Sequence, residues 1–332
     1  MKTIKLTTPM LGFPLQRQTP QSSLKWGDYQ FYINDTIEEA DYWIVGDELN
    51  KDIVSCICAP ENVFLTTGES AYIKLYSRSF TRQFAKVFSF QKNLFLRSNT
   101  VKSLPMLPWF AGARQLDGMK VWDSENYLDY DYFLNDTPIK TLDKIVVVTS
   151  NKRYTKGHRR RLDFIEDLMK IFPGKIDLYG NGFTPIGDKY PIVSKYKYQL
   201  VMENCCYHSY ITEKIADAFL CECYPLYVGA PDIDSYFPNN SFCKLDINDI
   251  DGAVNTIKTI FVEDSYSKNK QFIKESKNLI LNKYNIFPAI VNIVESYGKP
   301  DAQKKMLQIT NRHDIEWLVG MKLVKIYSLF HS

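Results

Sequence analysis

Two adjacent residues of opposite charge, Glu213 and Lys214, stand in the stretch MENCCYHSYITEKIADAFL, residues 202–220. Around them, Ile211, Ile215, Ala218 and Phe219 fall at i, i+4, i+7 and i+8, the spacing of one buried helix face. Ser209 and Thr212 are both candidate caps for that helix. Glu213 then lies in the first turn, where its charge suits the helix dipole. Lys214 does not suit it, unless an anion lies beyond the helix tip. A carboxylate accepts two hydroxyl donors at once, as from a ribose, and an ammonium is a compact phosphate partner. The pair points to a nucleotide held by its sugar and its diphosphate.

A basic group stands upstream. TSNKRYTKGHRRR places Lys152, Arg153, Lys156, Arg159, Arg160 and Arg161 between a β-branched run, KIVVVTS, and the helical spacing of Leu162, Ile165, Leu168 and Met169. A strand end followed by a helix start is where doubly wound α/β folds bind anions. Most of the six read as solvated loop charges, and at least one as a phosphate partner. Nucleic acid is not expected as a partner: the formal charge is only +3, and no aromatic or glycine pattern of an RNA-binding module accompanies the loop.

The elements that must position these groups read as two domains, since 332 residues exceed what one core usually supports. In residues 1–138, TIKLT, YQFYI, DYWIVG and NVFLTT read as short strands of an α/β layer. NDTPIKTLDK is a polar link containing a proline. In residues 139–300, KIVVVTS, KIDLYG, YQLVMEN and YPLYVGAP alternate with helical segments as a doubly wound α/β domain does. Residues 301–332 form a helical tail. Two readings stand for DIEWLVGMKLVKIYSLFHS. One is a terminal helix packed across both domains; the other is a membrane-interface helix with Lys322 and Lys325 among Trp317, Leu318, Leu323, Ile326 and Phe330. Neither a signal peptide nor a membrane anchor is expected, because no stretch reaches roughly 20 apolar residues. The seven cysteines lack zinc-type spacing and read as reduced core thiols of a cytoplasmic protein.

Residues 202–246 resemble the signature of glycosyltransferase family 10, the α1,3/4-fucosyltransferases: F-E-N-S, a spacer, D-Y-I-T-E-K, an apolar helix, V-P-V-V-L-G-x-P and a later S-F. VVVTSNKRYTKGHRRRLDFIEDL resembles the family's V-V-S-N segment and its downstream R-x-x-x-aromatic/aliphatic-x-x-L, so the likeness covers most of residues 143–250. Cys205 stands for the usual Ser, Ser209 for Asp, and Glu222 where many members have Gly. Glu222 reads as a solvent-facing residue without a role. The resemblance implies a GT-B fold, two Rossmann-like domains facing across a cleft, with the C-terminal helix crossing between them. It implies GDP-fucose as donor, held by the C-terminal domain. Arg161 and Lys214 would pair with the diphosphate, Glu213 would hold the ribose, and Asn204 and Tyr210 would line the donor site.

Such transfer inverts the anomeric carbon of L-fucose, delivering it to a hydroxyl such as O3 of GlcNAc or Glc in an acceptor oligosaccharide or glycolipid. It needs a base for the acceptor proton and positive charge on the departing diphosphate. With Arg161 and Lys214 supplying the charge, no cofactor and no divalent metal is required. The triplets Asp129–Asp131, Asp232–Asp234 and Asp249–Asp251 are frequent enough to arise by chance. The base is expected at Glu69, since NVFLTTGES ends a strand and resembles the family's T-G-E-N segment; Asp47 and Glu48 compete. Trp109 and Phe110 in LPMLPWF read as sugar-stacking rings or as packing. Lipopolysaccharide or capsule synthesis at the inner membrane face fits this reading. The alternatives are another GDP-activated deoxyhexose or pentose, or an inactive carbohydrate-binding relative.

Overall fold

The computed structural model describes residues 1–332 apart from 36, 95–97, 107, 117–120, 154–155, 312–318, 324–325 and 327–332. Its contacts divide the chain into two compact units, Met1–Pro108 with Tyr284–Tyr327, and Trp109–Lys283.

The first unit carries β1 (Lys2–Thr7), β2 (Lys25–Trp26), β3 (Tyr29–Ile33), β4 (Tyr42–Gly46), β5 (Ile53–Cys58), β6 (Val63–Thr66), the one-turn helix α1 (Arg78–Thr81), β7 (Lys86–Ser89) and β8 (Thr100–Lys102). Seven of these strands form a sheet in the order β2-β3-β1-β4-β6-β7-β8, parallel except for β2. The four expected strands are all present. β4 and β6 are buried throughout except for Gly46, as strands covered on both faces must be. Because β4 and β6 are parallel, Asp47 and the Thr67–Ser70 loop emerge at the same sheet edge.

The second unit begins with the antiparallel pair β9 (Ala113–Leu116) and β10 (Val121–Tyr127), then α2 (Tyr130–Asn135). A parallel sheet comes next, built from β11 (Leu142–Val148), α3 (Lys156–Ile171), β12 (Ile176–Tyr179), α4 (Tyr190–Val193), β13 (Tyr196–Met202), α5 (Glu213–Leu220), β14 (Tyr224–Val228) and β15 (Cys243–Lys244). Its order is β12-β11-β13-β14-β15, so β11 and β13 lie side by side and open at one edge. Helices α6 (Ile250–Val262) and α7 (Ser265–Asn282) complete the unit. The chain then returns to the first unit through α8 (Ile286–Tyr297) and β16 (Lys305–Thr310), which pairs antiparallel with β5, so the expected helical tail of 301–332 is a strand over these six residues.

The unit limits differ from the expected boundaries at 138/139 and 300/301, for identifiable reasons. Phe110 and Ala111 donate their backbone N–H groups to the Asp217 carboxylate at 2.7 and 2.8 Å, tying residue 109 onward to the second unit. Phe287 of α8 meets Phe31 edge-on at 4.8 Å, which returns that helix to the first. The expectations of a terminal helix crossing between domains or touching a membrane fall largely on 312–332, mostly outside the described residues. No helix among the described residues is long and apolar enough to cross a membrane.

Glu222 corrects its solvent-facing reading. It is 2% exposed, follows α5 with a left-handed φ of 51°, and pairs with Lys277 of α7 at 3.0 Å. Lys277 also donates to the Asp136 carbonyl at 2.7 Å. The left-handed backbone is the reason a glycine is at home there. Lys277→Ala should cost about 3–5 kcal/mol, because it leaves a buried carboxylate unpaired. A lower urea midpoint for the second unit is the expected readout, and an unchanged midpoint would show the pair to be inconsequential. All seven cysteines are free thiols; Cys56, Cys58, Cys221 and Cys223 are buried, while Cys206 is exposed and Cys205 and Cys243 are half-buried, so only four are core thiols.

Candidate active site

At the carboxyl ends of β11 and β13 lies a cavity of about 290 Å³, lined by Arg161, Asn204, Glu213 and Lys214 among others. Four of the five expected donor-site residues are therefore brought together. Tyr210 is not among the lining residues; it is 1% exposed and belongs to the core beside the site. Its ring is large and apolar enough to have gone inward with Ile211.

The helix start is built as its sequence requires. Thr212 caps α5, its hydroxyl accepting from the Lys214 N–H, and Glu213 and Lys214 are the first two helical residues. Ile211 precedes the helix instead of opening it. Beneath them sits Glu203, one residue past β13. Its fully buried carboxylate accepts from the Thr212 N–H at 2.9 Å and from the Thr212 hydroxyl at 2.6 Å. The Lys214 ammonium lies 3.1 Å from the Thr212 hydroxyl, 3.2 Å from Glu213 and 3.5 Å from Glu203. Burial alone would lower the Lys214 pKa, but Glu213 and Glu203 outweigh it and hold the ammonium charged well above its ordinary range. Burial likewise opposes the Glu213 charge, yet Lys214 and Lys189 bring that carboxyl below its usual value. For Glu203 burial wins, and its pKa is raised.

Arg161 is placed differently. It projects from the second turn of α3, is 8% exposed, and its η1 nitrogen lies 3.4 Å from the Asn204 side-chain oxygen. Its Nε is buried without an acceptor, and among the described residues no carboxylate pairs with it. Burial, with no opposing charge, lowers its pKa. An isolated buried guanidinium is costly unless something anionic meets it. Of the other basic-loop residues, Lys152 lines the same cavity, whereas Arg153 turns back to Asp163 and Glu166 at 3.1 and 2.5 Å.

Three contributors were not assigned a role from sequence. Glu203 supports the Lys214 ammonium from below. Lys189 lines the cavity and pairs with buried Asp217 at 2.5 Å. His158 also lines it, with a lowered pKa set first by burial and then by the Arg161, Lys152 and Arg159 charges. Asp217 left a legible signal, an acid within the apolar run of α5. Lys189 follows a loop and left none. A second cavity of about 180 Å³ shares Val148, Thr149 and Lys189 with the first, and Phe110, Trp122 and Ile186 wall it. The Phe110 and Trp122 rings lie 5.5 Å apart, tilted by 37°, while Trp109 is 1% exposed and packs edge-on to Phe133. Of the two rings in LPMLPWF, only Phe110 can meet a ligand. Gly180, at φ 118°, lets the loops after β11 and β12 close on each other: a Cβ there would lie 1.9 Å from the Thr149 carbonyl oxygen.

In the first unit, Glu69 is half-buried just past β6, and Gln91 donates to its carbonyl at 2.6 Å. Its two competitors are engaged. Asp47 takes Lys74 at 2.7 Å, the Tyr76 hydroxyl and the Gly68 N–H at 3.2 Å, and Glu48 takes Lys74 at 2.6 Å. The leading aspartates of the three triplets also have structural work. Asp129 caps α2, Asp249 caps α6, and Asp232 accepts from the Ser209 N–H at 2.8 Å.

Residues 139–271 match the family described as glycosyltransferase family 10 (fucosyltransferase) C-term, a range that contains the whole cavity. They are a glycosyltransferase family 10 domain. Over 74 residues, 22% of the chain, the protein is 35% identical to the alpha-(1,3)-fucosyltransferase FucT of Helicobacter pylori. Over 175 residues, 47% of the chain, it is 26% identical to alpha-(1,3)-fucosyltransferase B of Drosophila melanogaster. The alignments span 16% and 34% of those relatives' own lengths. The fold is similar to that of a crystallised alpha1,3-fucosyltransferase with GDP-fucose, at a TM-score of 0.50 and 16% identity, covering 90% of this chain and 91% of that one. The fold class is GT-B, and the matched residues lie in the second of its two α/β units.

Proposed function

We propose that the chain is an inverting glycosyltransferase that moves L-fucose from GDP-fucose to a hydroxyl of an acceptor glycan, forming an α1,3 or α1,4 linkage. The observation that carries this reading is Arg161: a buried guanidinium with no carboxylate partner among the described residues, lining the same cavity as Lys214. A diphosphate supplies the missing negative charge. Arg161 and Lys214 then hold the leaving group, and Glu213, kept ionised by Lys214 and Lys189, accepts from the ribose hydroxyls. The cavity walled by Phe110 and Trp122 offers aromatic surface next to that grip, suited to a base ring.

In the chemical step, Glu69 takes the proton of the acceptor hydroxyl as its oxygen attacks the anomeric carbon. The bond from that carbon to the phosphate oxygen breaks, and the electron pair leaves with GDP. Arg161 and Lys214 stabilise the charge that develops on the diphosphate, an electrostatic contribution that needs no divalent ion. The reaction has a natural site at the cytoplasmic face of a membrane where surface glycans are assembled.

Melting curves with GDP, GDP-fucose, UDP-glucose and single-stranded RNA test the donor. GDP and GDP-fucose should each stabilise by about 2.7 kcal/mol at roughly 100 times their Kd. UDP-glucose and RNA should leave the curve unmoved. A preference for the uridine nucleotide would end the GDP assignment.

A further inference from the structure

The first unit buries a cation for which fucosyl transfer has no use. Lys5, in β1, is 3% exposed. Its ammonium donates to the carbonyls of Ile37 at 3.2 Å and Ser55 at 3.3 Å, and lies 5.6 Å from the centre of the Trp43 ring. Among the described residues no carboxylate pairs with it. Two of its three protons are taken, and neither acceptor carries a formal charge. Burial above all lowers its pKa, as an uncompensated charge predicts.

That ammonium lines a cavity of about 460 Å³, within the range of small-molecule sites. Asn50, on the same wall, has its side-chain oxygen buried without a donor. Asn34, also lining it, is clamped by Thr8, taking its N–H at 2.9 Å and giving to its carbonyl at 2.8 Å, so this wall is preformed. Exposed Lys51, Asp35 and Glu38 also line it, so the formal charges of the lining cancel and Lys5 is its one buried ion. Ile53 and Met306 are 48% and 64% exposed on the same lining, apolar surface with nothing over it.

We propose that this cavity is a second ligand site that takes a small hydroxylated anion, a sugar bearing a carboxylate or a phosphate. Lys5 meets the anionic group, the Asn50 oxygen accepts from a hydroxyl, and Ile53 and Met306 cover the C–H face of the ring. The site belongs to the first unit and shares no residue with the donor cavity.

Calorimetric titration of the full chain with glucuronate, glucose 1-phosphate and glucose tests this, repeated on Lys5→Met, Asn50→Leu and Lys214→Met. At least one acidic sugar should bind and glucose should not. Glucuronate as the tighter ligand identifies a carboxylate, and glucose 1-phosphate a phosphate ester. Lys5→Met, which keeps the side-chain volume and removes the charge, should weaken binding at least about tenfold. Asn50→Leu should weaken it several-fold, and Lys214→Met should leave it intact. No binding of either acid overturns the proposal. So does binding that survives Lys5→Met, or that disappears only in Lys214→Met. Should Lys5→Met not fold, undiminished affinity in Asn50→Leu overturns it equally.

Discussion

Glu69→Ala should lower kcat for fucosyl transfer by roughly 10²–10⁴-fold, the usual contribution of a general base, while GDP binds as it does to the parent. The expectation rests on position and on the likeness of TTGES to the family's T-G-E-N segment. Glu69 stands just past β6, at the sheet edge where Asp47 and Glu48 also emerge. Both of those carboxylates are held by the Lys74 ammonium, and Asp47 accepts two further hydrogen bonds, so both are tied to side chains of their own unit. Gln91 fixes the Glu69 backbone and, at 2.9 Å, that of Lys74, setting the loop against its neighbours. Steady-state kinetics beside a GDP titration separate the two effects, since loss of a transition-state interaction lowers kcat without weakening nucleotide binding. Full transfer by Glu69→Ala would move the base to another residue.

Arg161→Met should weaken GDP binding by about 10- to 150-fold, the equivalent of roughly 1.5–3 kcal/mol for hydrogen bonds to a charged group, and it should not lower the melting point of the empty protein. Methionine fills much of the same volume, and the variant removes a buried charge that no carboxylate among the described residues compensates. Lys214→Ala offers the contrast. It also loses GDP affinity, but it strips Glu203 and Glu213 of their shared cation, so its empty form should melt lower. Calorimetry and melting curves on the two variants give four numbers that a merely structural role for either residue cannot reproduce. Parent-like GDP affinity in Arg161→Met would remove the diphosphate from this cavity.

How much of this was legible in the sequence depended on how local the cause was. The strands announced themselves because β-branched and aromatic runs of four to seven residues have few other uses. Thr212, Glu213 and Lys214 took their expected places because capping and dipole preferences act within one helical turn. Local reasoning asked for a phosphate partner among six basic residues, the family resemblance pointed to Arg161, and its buried, unsatisfied Nε could be seen only in the structure. Long-range causes stayed hidden. Lys189 enters the site because Asp217, 28 positions away, draws it in. Residues 109–138 joined the second unit through the same carboxylate, which no composition shift near residue 138 could signal. Tyr210 carried a matching motif yet is buried, and its burial depends on packing that the motif does not encode.

The buried pair of Glu222 and Lys277 bears on how such a sequence can drift. Glu222→Gly relaxes a left-handed residue but strands an ammonium among apolar neighbours, and Lys277→Met alone strands a carboxylate. Only the two changes together escape both penalties, so their effects cannot add. A change at either position alone is therefore costlier than the two made together, which a double-mutant cycle on Glu222→Gly and Lys277→Met would read as a coupling energy.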